Sequence, residues 1–226
     1  MELNKIYNLD CLVGLEHIPD KSVDLILTDP PYGIDYQSNC RMASEKFDKI
    51  YNDKTPFLGF IKHIPRILKD DGAVFIFTRW DVQQAFIDEM EANGLSVKNV
   101  VIWDKGNHTA GDLQRAFGFR YESIIYACGK DFAFKSTRPV DILRYPRVTG
   151  DKLTHPNEKP VGLLKYLIEL TTNMGGIVLD CFMGSGATAV AAKECGRQYI
   201  GFELDENYHK KASARVERAA ETLTLF

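Results

Sequence analysis

Seven short apolar runs, at residues 5–9, 23–28, 73–78, 97–104, 123–127, 177–180 and 199–203, alternate along this chain with segments of helical periodicity at 12–17, 55–68, 82–93, 161–172, 187–195 and 207–221. A run such as Val23-Asp24-Leu25-Ile26-Leu27-Thr28 is nearly continuous in apolar residues, which suits a strand buried on both faces and therefore one covered by helices above and below. The alternation predicts an α/β fold with a mostly parallel seven-stranded sheet flanked by helices. Asn93-Gly94 and Asp71-Gly72 read as turns between elements. Three stretches fall outside the pattern: polar, aperiodic 35–54; 105–120, with Gly106, Gly111 and Gly118; and 130–157, with Pro139, Pro146 and Pro156. Loops of this kind, gathered on one edge of a sheet, would make its working face.

A length of 226 residues suits one α/β domain, 1–226, carrying those loops as insertions. No apolar run reaches the length that spans a bilayer, and the N-terminus lacks a basic region followed by an apolar core, so a cytoplasmic protein without membrane association is expected. The five cysteines and five histidines show neither Cys-x-x-Cys nor metal-ligand spacing. Reduced thiols and no metal are expected. A formal charge of −3 does not advertise a nucleic-acid partner. Residues 105–159, however, hold ten basic side chains against six acidic ones, a local +4 inside an acidic chain. Taken alone, that excess reads as a solvated loop.

The C-terminal third carries a sharper signal. Ile177-Val178-Leu179-Asp180 reads as a buried strand, Cys181-Phe182-Met183-Gly184-Ser185-Gly186 as a glycine turn, and Ala187-Thr188-Ala189-Val190-Ala191-Ala192 as a helix of small residues. Glycines permit a tight turn and close backbone approach to a ligand, and the helix N-terminus presents free N–H groups. The next strand ends in Glu203, whose carboxylate can accept both hydroxyls of a ribose. An adenosine-containing cofactor follows, with its identity open, because Gly184-x-Gly186-x-x-Ala189 and Glu203 also satisfy a dinucleotide fingerprint.

The strand at 23–28 runs directly into Asp29-Pro30-Pro31-Tyr32. Two consecutive prolines fix φ twice and remove two donors, which makes a stiff projection from the strand end. A base amine is a poor nucleophile, its lone pair being delocalised into the ring. A site accepting one amine hydrogen at the Asp29 carboxylate and the other at the Pro30 carbonyl would favour the pyramidal amine. Tyr32 could then stack on a base extruded from the duplex.

With both motifs in this order, the chain resembles the amino-methyltransferases of DNA, in the group where Asp-Pro-Pro-Tyr precedes the Phe-x-Gly-Ser-Gly cofactor motif. Asn8-Leu9-Asp10-Cys11 resembles the family's acidic loop, which implies that Asp10 contacts the cofactor's adenine. His155-Pro156-Asn157-Glu158-Lys159-Pro160 is similar to the His-Pro-x-x-Lys-Pro motif, implying that Lys159 lies near the methionine end. Asp180, Phe182, Met183, Gly184, Ser185 and Gly186 correspond to the main cofactor motif and Glu203 to the ribose-binding acid. The resemblance covers nearly the whole chain, from Asn4 to about Tyr208. It implies a Rossmann-like fold with one antiparallel strand, S-adenosylmethionine as cofactor, and catalytic roles for Asp29, Pro30, Pro31 and Tyr32. It also implies DNA as partner, in the setting of restriction-modification, with Arg41, Lys46, Lys49, Arg138, Arg144 and Arg147 as candidate DNA contacts. The recognition region is short for the family, which leaves a homodimer open as the acting form.

The cytosine enzymes of the family more often carry Ser where this chain has Asp29, so the expected product is N6-methyladenine, with N4-methylcytosine as the alternative. An RNA or protein-amide methyltransferase would usually place the cofactor motif first and Asn before the prolines. A dehydrogenase leaves Asp29 to Tyr32 and His155 to Pro160 unused. A non-enzymatic DNA-binding descendant would have eroded at least one motif, and all are present.

Overall fold

The computed structural model describes residues 1–32, 56–108, 114–148 and 158–223. In chain order the elements are β1 (Lys5–Asn8), α1 (Cys11–Glu16), β2 (Val23–Thr28), a 3-10 turn (Ile61–His63), α2 (Ile64–Ile67), β3 (Leu68–Thr78), α3 (Gln83–Ala92), β4 (Ser96–Asp104), β5 (Tyr121–Cys128), β6 (Ile142–Arg144), α4 (Val161–Thr171), β7 (Ile177–Asp180), α5 (Ala187–Glu194), β8 (Gln198–Glu203) and α6 (Glu206–Leu223). The strands form one sheet in the order β1-β8-β7-β2-β3-β5-β4-β6. β5 runs antiparallel to both β3 and β4, and the other pairs are parallel.

The near-continuous apolar strands do serve two faces. Leu25, Leu27, Ala73, Phe75 and Phe77 pack with α4, α5 and α6 on one side. Ile26, Val74 and Ile76, one residue out of step, pack with α1, α2 and α3 on the other. This is the period-two alternation of a strand with both faces apolar.

From β2 the chain steps one way to β3, and from β7 it steps the other way to β8. The sheet therefore has a topological switch point between the carboxyl ends of β2 and β7, where open α/β sheets hold their ligands. Buried Thr28 closes this seam: its hydroxyl donates to Asp180 Oδ1 at 2.8 Å and accepts from the Cys181 N–H at 3.2 Å.

Three expectations are corrected. The sheet has eight strands among the described residues, because Ile142–Arg144 pairs parallel with β4; three residues are too few for an alternation to be visible. The helix expected at 55–68 is a 3-10 turn and a single α-turn. Pro65 cannot sit inside a helix without removing a hydrogen bond, and it instead occupies the first turn of α2. Leu68, extended at φ −71° and ψ 132°, already begins β3. Asp71-Gly72 lies within β3, where the register against β2 jumps from Val23↔Leu68 to Leu25↔Ala73, so the irregularity is a bulge and does not separate two elements. Asn93-Gly94 does end α3: Gly94 has φ +80°, and the Leu95 N–H reaches back to the Met90 carbonyl.

Candidate active site

One cavity opens at the carboxyl ends of β1, β8, β7 and β2. Its walls include Asp10, Asp29, Pro30, Pro31, Tyr32, Lys159, Asp180, Phe182, Met183, Gly184, Ser185 and Glu203. Residues far apart in sequence are thus brought to one place by the strand order. Gly186, also expected here, does not line the cavity. It caps α5 in the left-handed conformation at φ +78°, and a Cβ there would stand 3.1 Å from the Ala212 backbone, so it lets α6 close over the turn.

At the β8 end, Glu203 Oε2 accepts the Gly184 N–H at 2.8 Å and Oε1 accepts the Asp205 N–H at 2.9 Å. Each carboxylate oxygen retains acceptor capacity toward the cavity. Burial pushes the Glu203 carboxyl above its ordinary value, against the two backbone N–H groups that favour the anion. Asp10 caps α1 by accepting the Leu12 N–H at 2.8 Å. The ends of β1 and β8 are tied by Asn8, whose amide donates to the Glu203 carbonyl at 2.9 Å and the Leu204 carbonyl at 3.0 Å. Asp180 spends Oδ1 on the Thr28 hydroxyl and, at 3.0 Å, on the Phe182 N–H, so this carboxylate shapes the turn from inside. Phe182 is held edge-on by Phe57 and Phe60, with centroids 5.7 Å and 5.3 Å away.

At the β2 end lies a buried chain of charges. Lys159 Nζ is 2.6 Å from Asp29 Oδ2 and 3.1 Å from Glu122 Oε2, and Glu122 Oε1 is 2.5 Å from Lys105 Nζ. The Lys159 head also stands 5.0 Å over the Phe77 ring. Asp29 Oδ1 is buried with no hydrogen-bond partner among the described residues. Burial pushes the Asp29 carboxyl up to about 6, with Glu122 and Asp180 adding to the rise and Lys159 opposing it. Burial works against the Lys159 cation, but Asp29 and Glu122 outweigh it and hold its pKa above the ordinary lysine value. Burial likewise disfavours the Glu122 anion, yet Lys159 and Lys105 keep that carboxyl below its ordinary value. Tyr32 is only 5% exposed, with the Arg79 guanidinium 5.9 Å from its ring centroid.

The sequence reading missed Thr28, Lys105, Glu122 and Arg215. Glu122 stands at the carboxyl edge only because β5 runs backwards, which brings its N-terminal end to the site. Arg215 of α6 pairs with buried Glu158 at 2.7 Å and donates to the Ser185 carbonyl at 3.2 Å, clamping the segment before α4 to the glycine turn. A basic partner could have been suspected for Glu158, an acid inside the His-Pro-x-x-Lys-Pro motif. Of that motif, 155–157 lie outside the described residues, as do Arg41, Lys46 and Lys49. Arg138, Arg144 and Arg147 are exposed, and Arg144 Nε is 3.7 Å from Asp104 Oδ2. Lys105 and Lys159, counted in the basic excess, are consumed by the buried carboxylates. No helix among the described residues is long and apolar enough to cross a membrane.

A family model described as DNA methylase matches residues 23–214. The chain is 34% identical over 210 residues to YubD of Escherichia coli (strain K12), a methylase by name, covering 92% of this chain and 87% of that protein. It is 28% identical over 261 residues to the type II methyltransferase M1.MboII of Moraxella bovis, covering 94% and 96%. Among solved structures, the M1.HpyAVI complex with SAM superposes with a TM-score of 0.70 at 27% identity, over 93% of this chain and 98% of that one. The cytosine-N4-specific PvuII DNA methyltransferase shares the fold, with a TM-score of 0.73 at 16% identity, over 96% and 90% of the two chains.

Proposed function

The chain belongs to the DNA methylase family whose model spans residues 23–214, and from that premise we propose that it transfers a methyl group from S-adenosylmethionine to the N6 amine of adenine in DNA. The observation that carries this reading is a single cavity walled at one end by Asp10 and Glu203 and at the other by Asp29 and Pro30. A cofactor and an amine held at its two ends would meet inside it.

The residues present fit the cofactor. Glu203 offers carboxylate oxygens to a ribose, Asp10 offers an acceptor beside it, and Leu27, Phe77, Phe182 and Phe202 give the walls apolar surface. When bound, S-adenosylmethionine supplies a methyl group on a sulfonium leaving group. Asp29 Oδ1, already desolvated and without a partner among the described residues, accepts one hydrogen of the amine. The Pro30 carbonyl, stiffened by Pro31, accepts the other. Both bonds favour the pyramidal amine with a free lone pair, so the chain works by positioning and fixed charge and needs no covalent intermediate. The proton lost from the methylated amine leaves through Asp29 Oδ1. Tyr32 also lines the cavity, 5% exposed, and its ring is the surface on which the extruded base would stack.

Asp29 also supports adenine over cytosine, by resemblance to the adenine enzymes of the family. The test is titration calorimetry with S-adenosylmethionine alongside a methyl-transfer assay on DNA. Wild-type protein should bind the cofactor without DNA. Asp29→Ala should lose at least about a hundredfold in kcat while largely sparing cofactor affinity. Glu203→Ala should weaken that affinity about tenfold or more. Wild-type turnover in Asp29→Ala would remove this residue from the chemistry, and absence of cofactor binding would overturn the reading.

A further inference from the structure

Glu122 is a buried acid for which the reaction described above has no use. It comes from β5, which runs antiparallel to both its neighbours, and with Lys105 at the β4 end, Lys159 before α4 and Asp29 after β2 it forms an alternating row of four charges. Their side chains are only 17%, 11%, 7% and 20% exposed in that order. Burying four ionised groups is costly, and the Asp29–Lys159 pair would already be neutral without the other two. The row therefore calls for a purpose beyond charge balance.

An ammonium has three donors and no acceptor, and a carboxylate has two oxygens. With Asp29 as its sole anionic neighbour, the Lys159 head would be drawn over both oxygens of that carboxylate. Glu122 Oε2, 3.1 Å away in an ion pair whose angle falls outside that of a hydrogen bond, gives the head a second anionic neighbour. Lys159 accordingly meets Asp29 at Oδ2 alone, at 2.6 Å, and Oδ1 is left over. Oδ1 is the atom the proposed chemistry needs.

We propose that Glu122 is a positioning residue for methyl transfer, holding Lys159 off one oxygen of Asp29 so that this oxygen remains open to the base amine. The inference rests on the reading of Asp29 given above. Its electrostatic corollary has a definite sign. The groups facing Asp29 are Lys159, Glu122, Asp180 and Tyr32, with Arg79 behind the Tyr32 ring and Lys105 behind Glu122. Among them Glu122 acts to raise the Asp29 pKa and Lys159 to lower it. Removing the Glu122 charge therefore lowers the pH at which Asp29 ionises.

Glu122→Gln keeps the shape and removes the charge. It should reduce kcat about tenfold or more, leave the affinity for S-adenosylmethionine near wild type, and move the acid limb of the kcat–pH profile to lower pH. Glu122→Asp, which keeps the charge, should leave the acid limb at its wild-type position. Circular dichroism and thermal unfolding on both variants establish that they fold. Should Glu122→Gln not fold, Glu122→Gln combined with Lys105→Met, which leaves no buried lysine facing a missing acid, provides the second test and should show the same loss of kcat and the same limb shift. Wild-type kcat and an unmoved acid limb in folded Glu122→Gln, or in the double variant if the single one cannot be assayed, or an equal limb shift in Glu122→Asp, would overturn the proposal. Asp29→Ala is run in parallel: if it is inactive while Glu122→Gln behaves as wild type, this inference fails alone, and if Asp29→Ala is active, the reading beneath it fails.

Discussion

Asp29 is the residue on which the proposed chemistry turns, and its environment gives it a pH dependence. A carboxyl pushed up to about 6 in the folded protein is protonated below that pH, and a protonated Asp29 accepts less well from the amine. Single-turnover methylation should therefore be level above the Asp29 pKa and fall about tenfold per unit as the pH drops below it. Measured between about pH 5 and pH 8.5, a rate that stays flat to the acid end would mean that Asp29 titrates lower or takes no part. Asp29 and Glu203 are legible because each stands at the carboxyl end of an apolar run, where a strand hands its last residue to the sheet edge, whereas Asp10 is legible only through the resemblance of Asn8-Leu9-Asp10-Cys11 to the family's acidic loop. Glu122 was not legible. It sits near the start of its run, and only the reversed direction of β5 carries it to the same edge. Lys105 reads only as loop charge, and Lys159, expected at the cofactor's methionine end, carries no sign of its pairing with Asp29 and Glu122, since pairing with buried acids on other strands leaves no mark on local sequence.

Among the elements, the turn between β7 and α5 depends on backbone that only glycine adopts without strain. Gly186 combines φ +78° with an Ala212 backbone atom 3.1 Å from where a Cβ would stand. Gly186→Ala should cost about 1–3 kcal/mol in stability and, by moving the start of α5, weaken cofactor affinity. Thermal unfolding with and without S-adenosylmethionine measures both, and an unchanged melting temperature would show that the turn relaxes freely. The strands at 23–28 and 177–180 have the limits expected from their apolar runs, because burial on two faces leaves few alternatives for such residues. The expectations that failed were governed by neighbours in space. Ile142–Arg144 is a strand because β4 offers a free edge, and the segment before β3 is not one long helix because Pro65 starts a new turn and Leu68 is already extended.

On the scale of the whole molecule, an acidic chain must present a local basic surface to DNA, and the strand directions indicate where. β6 runs parallel to β4, so its last residue, Arg144, stands at the same edge as the cavity, with Arg147 just beyond it. Arg138 precedes β6, and upstream of it the Lys135 N–H donates to Leu170 near the far end of α4. Reversing charge at Arg144 and Arg147 together should lower the slope of log affinity against log salt by about 2, whereas Arg138→Glu should change it little. Equal effects from all three would place the DNA path elsewhere. The central claim, transfer of a methyl group to an adenine amine in DNA, has its most direct test in the product. Unmethylated DNA is incubated with the protein and S-adenosylmethionine carrying a deuterated methyl group, digested to nucleosides and analysed by mass spectrometry against both methylated standards. The account predicts that the label appears as N6-methyladenine and is lost with Asp29→Ala; label in N4-methylcytosine alone would contradict the adenine assignment, and no labelled nucleoside from any DNA offered would contradict the activity itself.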